Sequence, residues 1–135
     1  MQKEFRIIVC GGRDYGWVIN SNRKKTMNAQ EVKFMFDRLD ILRQSVEELG
    51  RTLIVIQGEA EGADSWAKKW AETNDILNMG FSADWDTYKK AAGAIRNKQM
   101  LTEGKPDLVV AFKGGKGTSN MIEQSEKAKV PVRKY

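Results

Sequence analysis

Two kinds of apolar pattern alternate along the chain. Short continuous runs, each closed by a turn residue, are separated by longer segments in which apolar residues return every three or four positions. "RIIVC" (Arg6 to Cys10) is β-branched and stops at Gly11-Gly12, which predicts a strand. "TLIVIQG" (Thr52 to Gly58) and "LVVAF" (Leu108 to Phe112) are two more such runs. "NMGFSA" (Asn78 to Ala83) is a weaker strand, and the closing "VPVRKY" reads as a short last one. Between them, Val32, Met35, Phe36, Leu39, Leu42, Val46 and Leu49 mark one face of an amphipathic helix over Glu31 to Leu49, stopped by Gly50. "ADSWAKKWAET" predicts a second helix, with Asp64 as its N-terminal cap. "DTYKKAAGAIRNKQMLTEG" is helical in composition and ends before Pro106, and "NMIEQSEKAK" is a last helix. The polar stretch from Arg13 to Gln30 has no period, and most of it is expected to be a long loop.

The order is β-α-β-α-β-α-β-α-β. Strands alternating with helices pair in parallel, and apolar runs without alternation fit strands covered on both faces. The expected fold is α/β: one three-layer domain over residues 1–135, built on a mainly parallel sheet of about five strands. A chain of 135 residues supports one core and not two.

Composition narrows the chemistry. With 41% hydrophobic residues and four tryptophans the chain is globular in type. It has no histidine, which removes Ser-His-Asp and Cys-His catalysis and His-rich zinc sites. Cys10 is the single cysteine and reads as a small core residue. No apolar run approaches the ~20 residues that span a bilayer, and "MQKEFRIIVC" has no signal-peptide pattern; a cytoplasmic location is the expectation. The net charge of +5 favours anionic partners.

Three glycine-bearing turns follow strands: "CGGRDYG", "QGEAEGADS" and "KGGKGTSN". In a parallel sheet all three emerge at the carboxyl edge, where ligands of such folds bind. Glycines let backbone N–H groups approach a ligand, and a helix starting just after the turn adds free N–H donors, a combination suited to phosphate. The Walker A spacing is absent, and so is G-x-G-x-x-G after the first strand. ATPase and ordinary dinucleotide-oxidoreductase readings are therefore set aside.

"IIVCGGRDY", "VIQGEAEGADSWAKKWAE", "ADWDTYKKAAGAIRNKQML" and "PDLVVAFKGGKGTSNMI" resemble the YspA-type proteins of the SLOG superfamily, named for the SMF/DprA and Lonely Guy proteins. The resemblance runs over nearly the whole chain, with a longer Gly16 to Gln30 region than is usual. It implies a Rossmann-like domain that binds nucleotides or nucleotide-derived molecules. Carried onto this chain, the pocket residues it implies are Gly11, Gly12 and Arg13; Gly58, Glu59, Gly62, Ala63 and Asp64; Arg96 and Asn97; and Gly114, Gly115, Gly117 and Thr118.

Lonely Guy proteins cleave the base from nucleoside monophosphates and carry P-G-G-x-G-T-x-x-E. Here Lys113 replaces the proline and Met121 stands at the glutamate position, with Glu123 on another side of the helix. Candidate catalytic residues are Glu59, Asp64 and Arg96. The leading expectation is a protein that senses or sequesters a nucleotide-derived ligand. The alternatives are a Lonely Guy-like N-glycosidic hydrolase and DprA-like nucleic-acid binding through Tyr15, Trp17 and the Arg23-Lys24-Lys25 cluster. A homodimer or higher homo-oligomer paired through the first helix is expected. No metal cluster is read from the residues, and Mg²⁺ enters only as a companion of ligand phosphates. A bacterial or phage origin suits a small domain of this kind.

Overall fold

The computed structural model describes residues 3–135. Strand β1 (Glu4–Cys10) leads to a small antiparallel hairpin, β2 (Trp17–Ile19) and β3 (Lys25–Met27). Helix α1 (Ala29–Glu48), β4 (Thr52–Gln57), α2 (Ala63–Thr73) and β5 (Asn78–Gly80) follow. Then come a four-residue helix α3 (Trp85–Tyr88), a single 3-10 turn, α4 (Ala92–Gly104), β6 (Leu108–Ala111), α5 (Lys116–Lys127) and β7 (Val132–Lys134).

Five strands form one sheet in the order β5-β4-β1-β6-β7, and every pairing is parallel. The sheet grows outward from β1 in both directions, the Rossmann-like arrangement. The direction of growth reverses between β1 and β6, and the crevice beyond their carboxyl ends is where such sheets take ligands.

Side-chain alternation on the strands builds two cores. Ile7 and Val9 of β1, Leu53 and Val55 of β4, and Val110 of β6 face α1 and α2. Ile8, Cys10, Ile56, Val109 and Ala111 face the other way, toward Met100 of α4 and Met121 of α5. The apolar positions expected on α1 are its buried face, from Val32 to Val46. The helix starts two residues before the expected boundary because the Asn28 side chain accepts from the Glu31 N–H at 3.2 Å. Gly50, at φ +72°, ends it.

Three expectations are corrected. The Arg13 to Gln30 stretch, expected to be mostly loop, holds a hairpin. Trp17, Val18 and Ile19 pair with Met27, Thr26 and Lys25, and Asn20 Oδ1 accepts from the N–H groups of Asn22 and Lys24 at 2.9 Å each to shape the turn. The helical segment before Pro106 is broken, because Lys89 takes φ +52° and separates α3 from α4. The last helix begins at Lys116 rather than Asn120, so half of the glycine-rich loop is the first turn of α5.

Candidate functional site

The three glycine turns meet, and backbone hydrogen bonds tie them together at Gly12. Its N–H donates to the Lys113 carbonyl at 2.8 Å, and its carbonyl accepts from Ala63 at 3.1 Å. Two flanking glycines leave no room for a side chain. A Cβ at Gly11 would stand 2.6 Å from that of Ala63, and one at Gly114 would stand 2.7 Å from the Gly12 nitrogen. The glycines therefore serve close loop-to-loop approach as well as access to a ligand.

The junction opens into a cleft of about 900 Å³, within the ~300–1,000 Å³ range of small-molecule sites. Gly11, Gly12 and Arg13 line it from the β1 turn, and Lys113, Gly114, Gly115, Lys116, Gly117 and Thr118 from the β6 turn and α5. Asp64, Arg96 and Asn97 complete this end. Gly115 precedes α5 and no side chain caps that helix. The N–H groups of Lys116, Gly117 and Thr118 thus have no acceptor within it, and they carry the positive end of the helix dipole.

Asp64 does not cap α2. Gly62 holds the cap position at φ +77°, and Asp64 lies inside the first turn. Its Oδ2 reaches back to accept from the N–H of Gly58 at 3.1 Å and of Ala60 at 3.3 Å. The aspartate fixes the second turn while facing the cleft. Burial pushes its carboxyl up from 3.8 to about 6, against the opposing pull of the Arg96 charge and the two N–H donors.

A stability effect follows from that shift. The folded state holds this proton more tightly than the unfolded chain does. The contribution is fully present below pH 3.8, is lost as pH rises to about 6, and is constant above. A rise from 3.8 to about 6 corresponds to about 3 kcal/mol. Denaturant titrations of the wild type are expected to show that decline relative to Asp64→Asn, whose amide oxygen still accepts from both N–H groups. Parallel profiles for the two proteins would contradict the assignment.

Arg96 and Asn97 are tied to the turns. The Arg96 guanidinium donates to the Gly58 carbonyl and, through Nε, to Asn97 Oδ1 at 3.1 Å. Asn97 Nδ2 donates to the Gly117 carbonyl at 3.2 Å and to Asn120 Oδ1 at 3.1 Å. One buried asparagine thus links the arginine to the helix that carries the glycine loop.

Not every residue expected at the pocket lines it. Gly58, Gly62 and Ala63 stand behind the cleft wall. Gly58 lies against the Arg96 and Asp64 side chains, and Gly62 against the backbone of Gly12 and Arg13. Glu59 turns away, toward Gln57 and Lys68. Burial raises its carboxyl pKa, but hydrogen bonds from those two partners outweigh it, and the group sits below its usual value. Glu59 does not line the cleft. Glu61 is exposed and pairs with Lys25 at 3.1 Å. Met121 is fully buried in the core beneath α5, and Glu123 pairs with Lys127 at the surface. The position of the Lonely Guy glutamate is therefore filled by packing. Cys10 forms part of the cleft floor, and burial pushes its thiol up to about 12, so it is not a thiolate at neutral pH.

Of the surface expected for nucleic acid, Arg23, Lys24 and Lys25 are exposed, whereas the two aromatic residues pack against the domain. Tyr15 is buried with its hydroxyl donating to the Glu31 carbonyl, and Trp17 packs on Trp66 with ring centres 5.1 Å apart. Among the described residues, no group of three or more Cys, Asp or Glu side chains stands close enough to hold a metal ion. No helix among them is long and apolar enough to cross a membrane.

Residues overlooked in the sequence also line the cleft. Trp85 and Lys90 reach it from the segment before α4, and Asn28 and Glu31 from the start of α1. The only local signal was an aromatic residue standing alone in the polar "SADWD".

Comparison with known proteins agrees with the fold and the first two turns. A family model described as the YspA, cpYpsA-related SLOG family matches residues 5–88. That span ends before the Arg96-Asn97 element and the β6 turn. The chain is also 34% identical over 106 residues to "Gene 61 protein" of Mycobacterium phage D29, covering 71% of this chain and 84% of that protein. No solved structure matches.

Proposed function

Because the chain belongs to the YspA, cpYpsA-related SLOG family, we propose that its cleft binds a nucleotide or nucleotide-derived molecule, to sense or sequester it. The observation that carries this reading is the junction of three turns around Gly12 at the β1/β6 crevice, with the uncapped start of α5 pointing into the same cleft. Backbone N–H groups and the helix dipole supply a seat for phosphate. Arg13, Lys113 and Lys116 add positive charge around it. Mg²⁺ would enter with the phosphates rather than on a protein site.

Titration calorimetry with nucleosides and their 5′-phosphates tests the reading. Affinity is expected only when phosphate is present, and it should fall with added salt. Equal affinity for nucleosides and nucleotides would overturn it.

Asp64 supports a second reading. A buried carboxyl that titrates near neutrality and faces the cleft beside Arg96 has the character of a general acid or base. An N-glycosidic hydrolase built this way would use Asp64 and not a residue of α5. If Asp64→Asn keeps nucleotide affinity but abolishes release of free base, the protein is that hydrolase. If the wild type releases no base from any bound nucleotide, binding is the whole activity.

A further inference from the structure

The cleft has a second end that the phosphate seat does not explain. Trp85 opens the four-residue helix α3, in which no residue is buried. The residue is 45% exposed, yet it lines the same cleft as Gly115 and Thr118. Asp84 Oδ1 accepts from the Thr87 N–H at 3.1 Å and fixes the short helix. The Cη2 edge of the indole leans toward α4 at Gly93, 3.5 Å from where a Cβ would stand. The ring is thus held in place while contributing little to either core.

Arg13 lies over that ring, with its guanidinium carbon 5.2 Å from the ring centre. Arg13 belongs to the same turn as the Gly12 junction, so the phosphate seat and the aromatic ring are bridged by one side chain. Burial lowers the pKa of the Arg96 guanidinium against the pull of Asp64, and the nearby Arg13 charge adds to the lowering. Two guanidiniums that repel each other across a cleft are relieved when an anion enters. A guanidinium that leaves an indole for a phosphate uncovers a flat apolar surface as it goes.

We propose that Trp85 is the platform on which the ligand's base stacks, and that Arg13 covers this platform in the empty cleft and yields it to the base as it turns to the phosphate. The inference rests on the nucleotide reading above and deepens it. The ligand carries both a planar ring and a phosphate, and a phosphosugar alone fills only half of the site. Stacking on an aromatic face tolerates any base, so this end selects for the presence of a base rather than its identity.

The test compares adenosine 5′-monophosphate, guanosine 5′-monophosphate and ribose 5-phosphate as probes on wild type, Trp85→Ala and Trp85→Phe. Trp85→Ala is expected to weaken both nucleotides by roughly tenfold to a hundredfold, the range of one base–aromatic stack. Ribose 5-phosphate affinity is expected to stay the same, and Trp85→Phe to restore most of the loss for the nucleotides. Thermal unfolding of all three proteins should coincide, since the ring is outside both cores. Equal effects of Trp85→Ala on nucleotides and ribose 5-phosphate, or no effect on either, would overturn the inference and leave the phosphate seat standing. So would wild-type affinity for ribose 5-phosphate as high as for the nucleotides. Failure of every probe to bind the wild type would remove the nucleotide reading and this inference together.

Discussion

Gly62→Ala is expected to destabilise the protein more than any other addition of a single methyl to a turn of the cleft. Gly62 has φ +77°, a conformation that strains an L side chain. The new Cβ would stand 2.2 Å from the Gly12 carbonyl oxygen and 2.4 Å from that of Arg13. Both are backbone atoms that cannot rotate aside. Relief requires the β1 turn to separate from α2, which breaks the hydrogen bond from Ala63 to Gly12. Strain of this class and a lost buried bond together come to about 4 kcal/mol. In a chain of this size that lowers the melting temperature by on the order of 15 °C. Gly50→Ala is the control. It shares the positive φ but meets nothing within 4 Å, so it carries only the conformational cost of ~1 kcal/mol. Equal melting temperatures for the two variants would show that the turns are not locked together.

Gly117→Asp is expected to have the opposite profile, with folding preserved and ligand binding lost. Gly117 lies in the first turn of α5, and a Cβ there meets nothing within 4 Å. Aspartate is slightly better than glycine in a helix, and its charge suits the start of one. Stability is therefore expected to hold or rise by a few tenths of a kcal/mol. The carboxylate, however, faces the space assigned to phosphate. Two negative charges ~5 Å apart at an effective dielectric constant of about 20 repel by ~3 kcal/mol, close to a hundredfold in affinity. Calorimetry with a nucleoside 5′-phosphate, run beside thermal unfolding, reads both quantities. Unchanged affinity would place the phosphate elsewhere.

The contrast between these two glycines explains how far the site was legible in the sequence. The strands were readable because Arg6–Cys10, Thr52–Gln57 and Leu108–Ala111 are short, largely apolar runs closed by turn residues, a pattern that suits strands of a parallel sheet covered on both faces. Convergence of the turns followed from that sheet. The task of each glycine did not. "GEAEGAD" offers Gly58 and Gly62 as equals with the cleft-lining glycines, yet both pack behind its wall. Asp64 stands two residues after the true cap, Gly62, and a sequence pattern does not separate a carboxylate that caps its own helix from one that reaches back to Gly58 and Ala60. Glu59 had the right neighbourhood, but its direction is set by φ +56° and by Lys68 nine residues later in the chain. The hairpin was hidden because its strands are only three residues long, mostly exposed, and set in a polar stretch without a period. Trp85 was passed over because its role depends on the break at Lys89, which no periodicity announces.

Loss of the Lonely Guy glutamate gains physical content from the fold. Met121 is fully buried against β1 and β6 residues, so restoring a carboxylate there would place an unpaired charge in a core. The hydrolase reading proposed above therefore draws on Asp64, which lines the cleft away from α5.

The central claim is that the three-turn cleft holds an intact nucleotide-like ligand. The direct measurement is to incubate purified wild type and Gly117→Asp with a nucleotide extract, wash, and identify by mass spectrometry what each protein retains and what appears in the supernatant. The account predicts a phosphate-bearing molecule with an intact base, released from the wild type on heating and absent from Gly117→Asp. Free base with ribose phosphate in the supernatant, or the same retained molecule on both proteins, would contradict it.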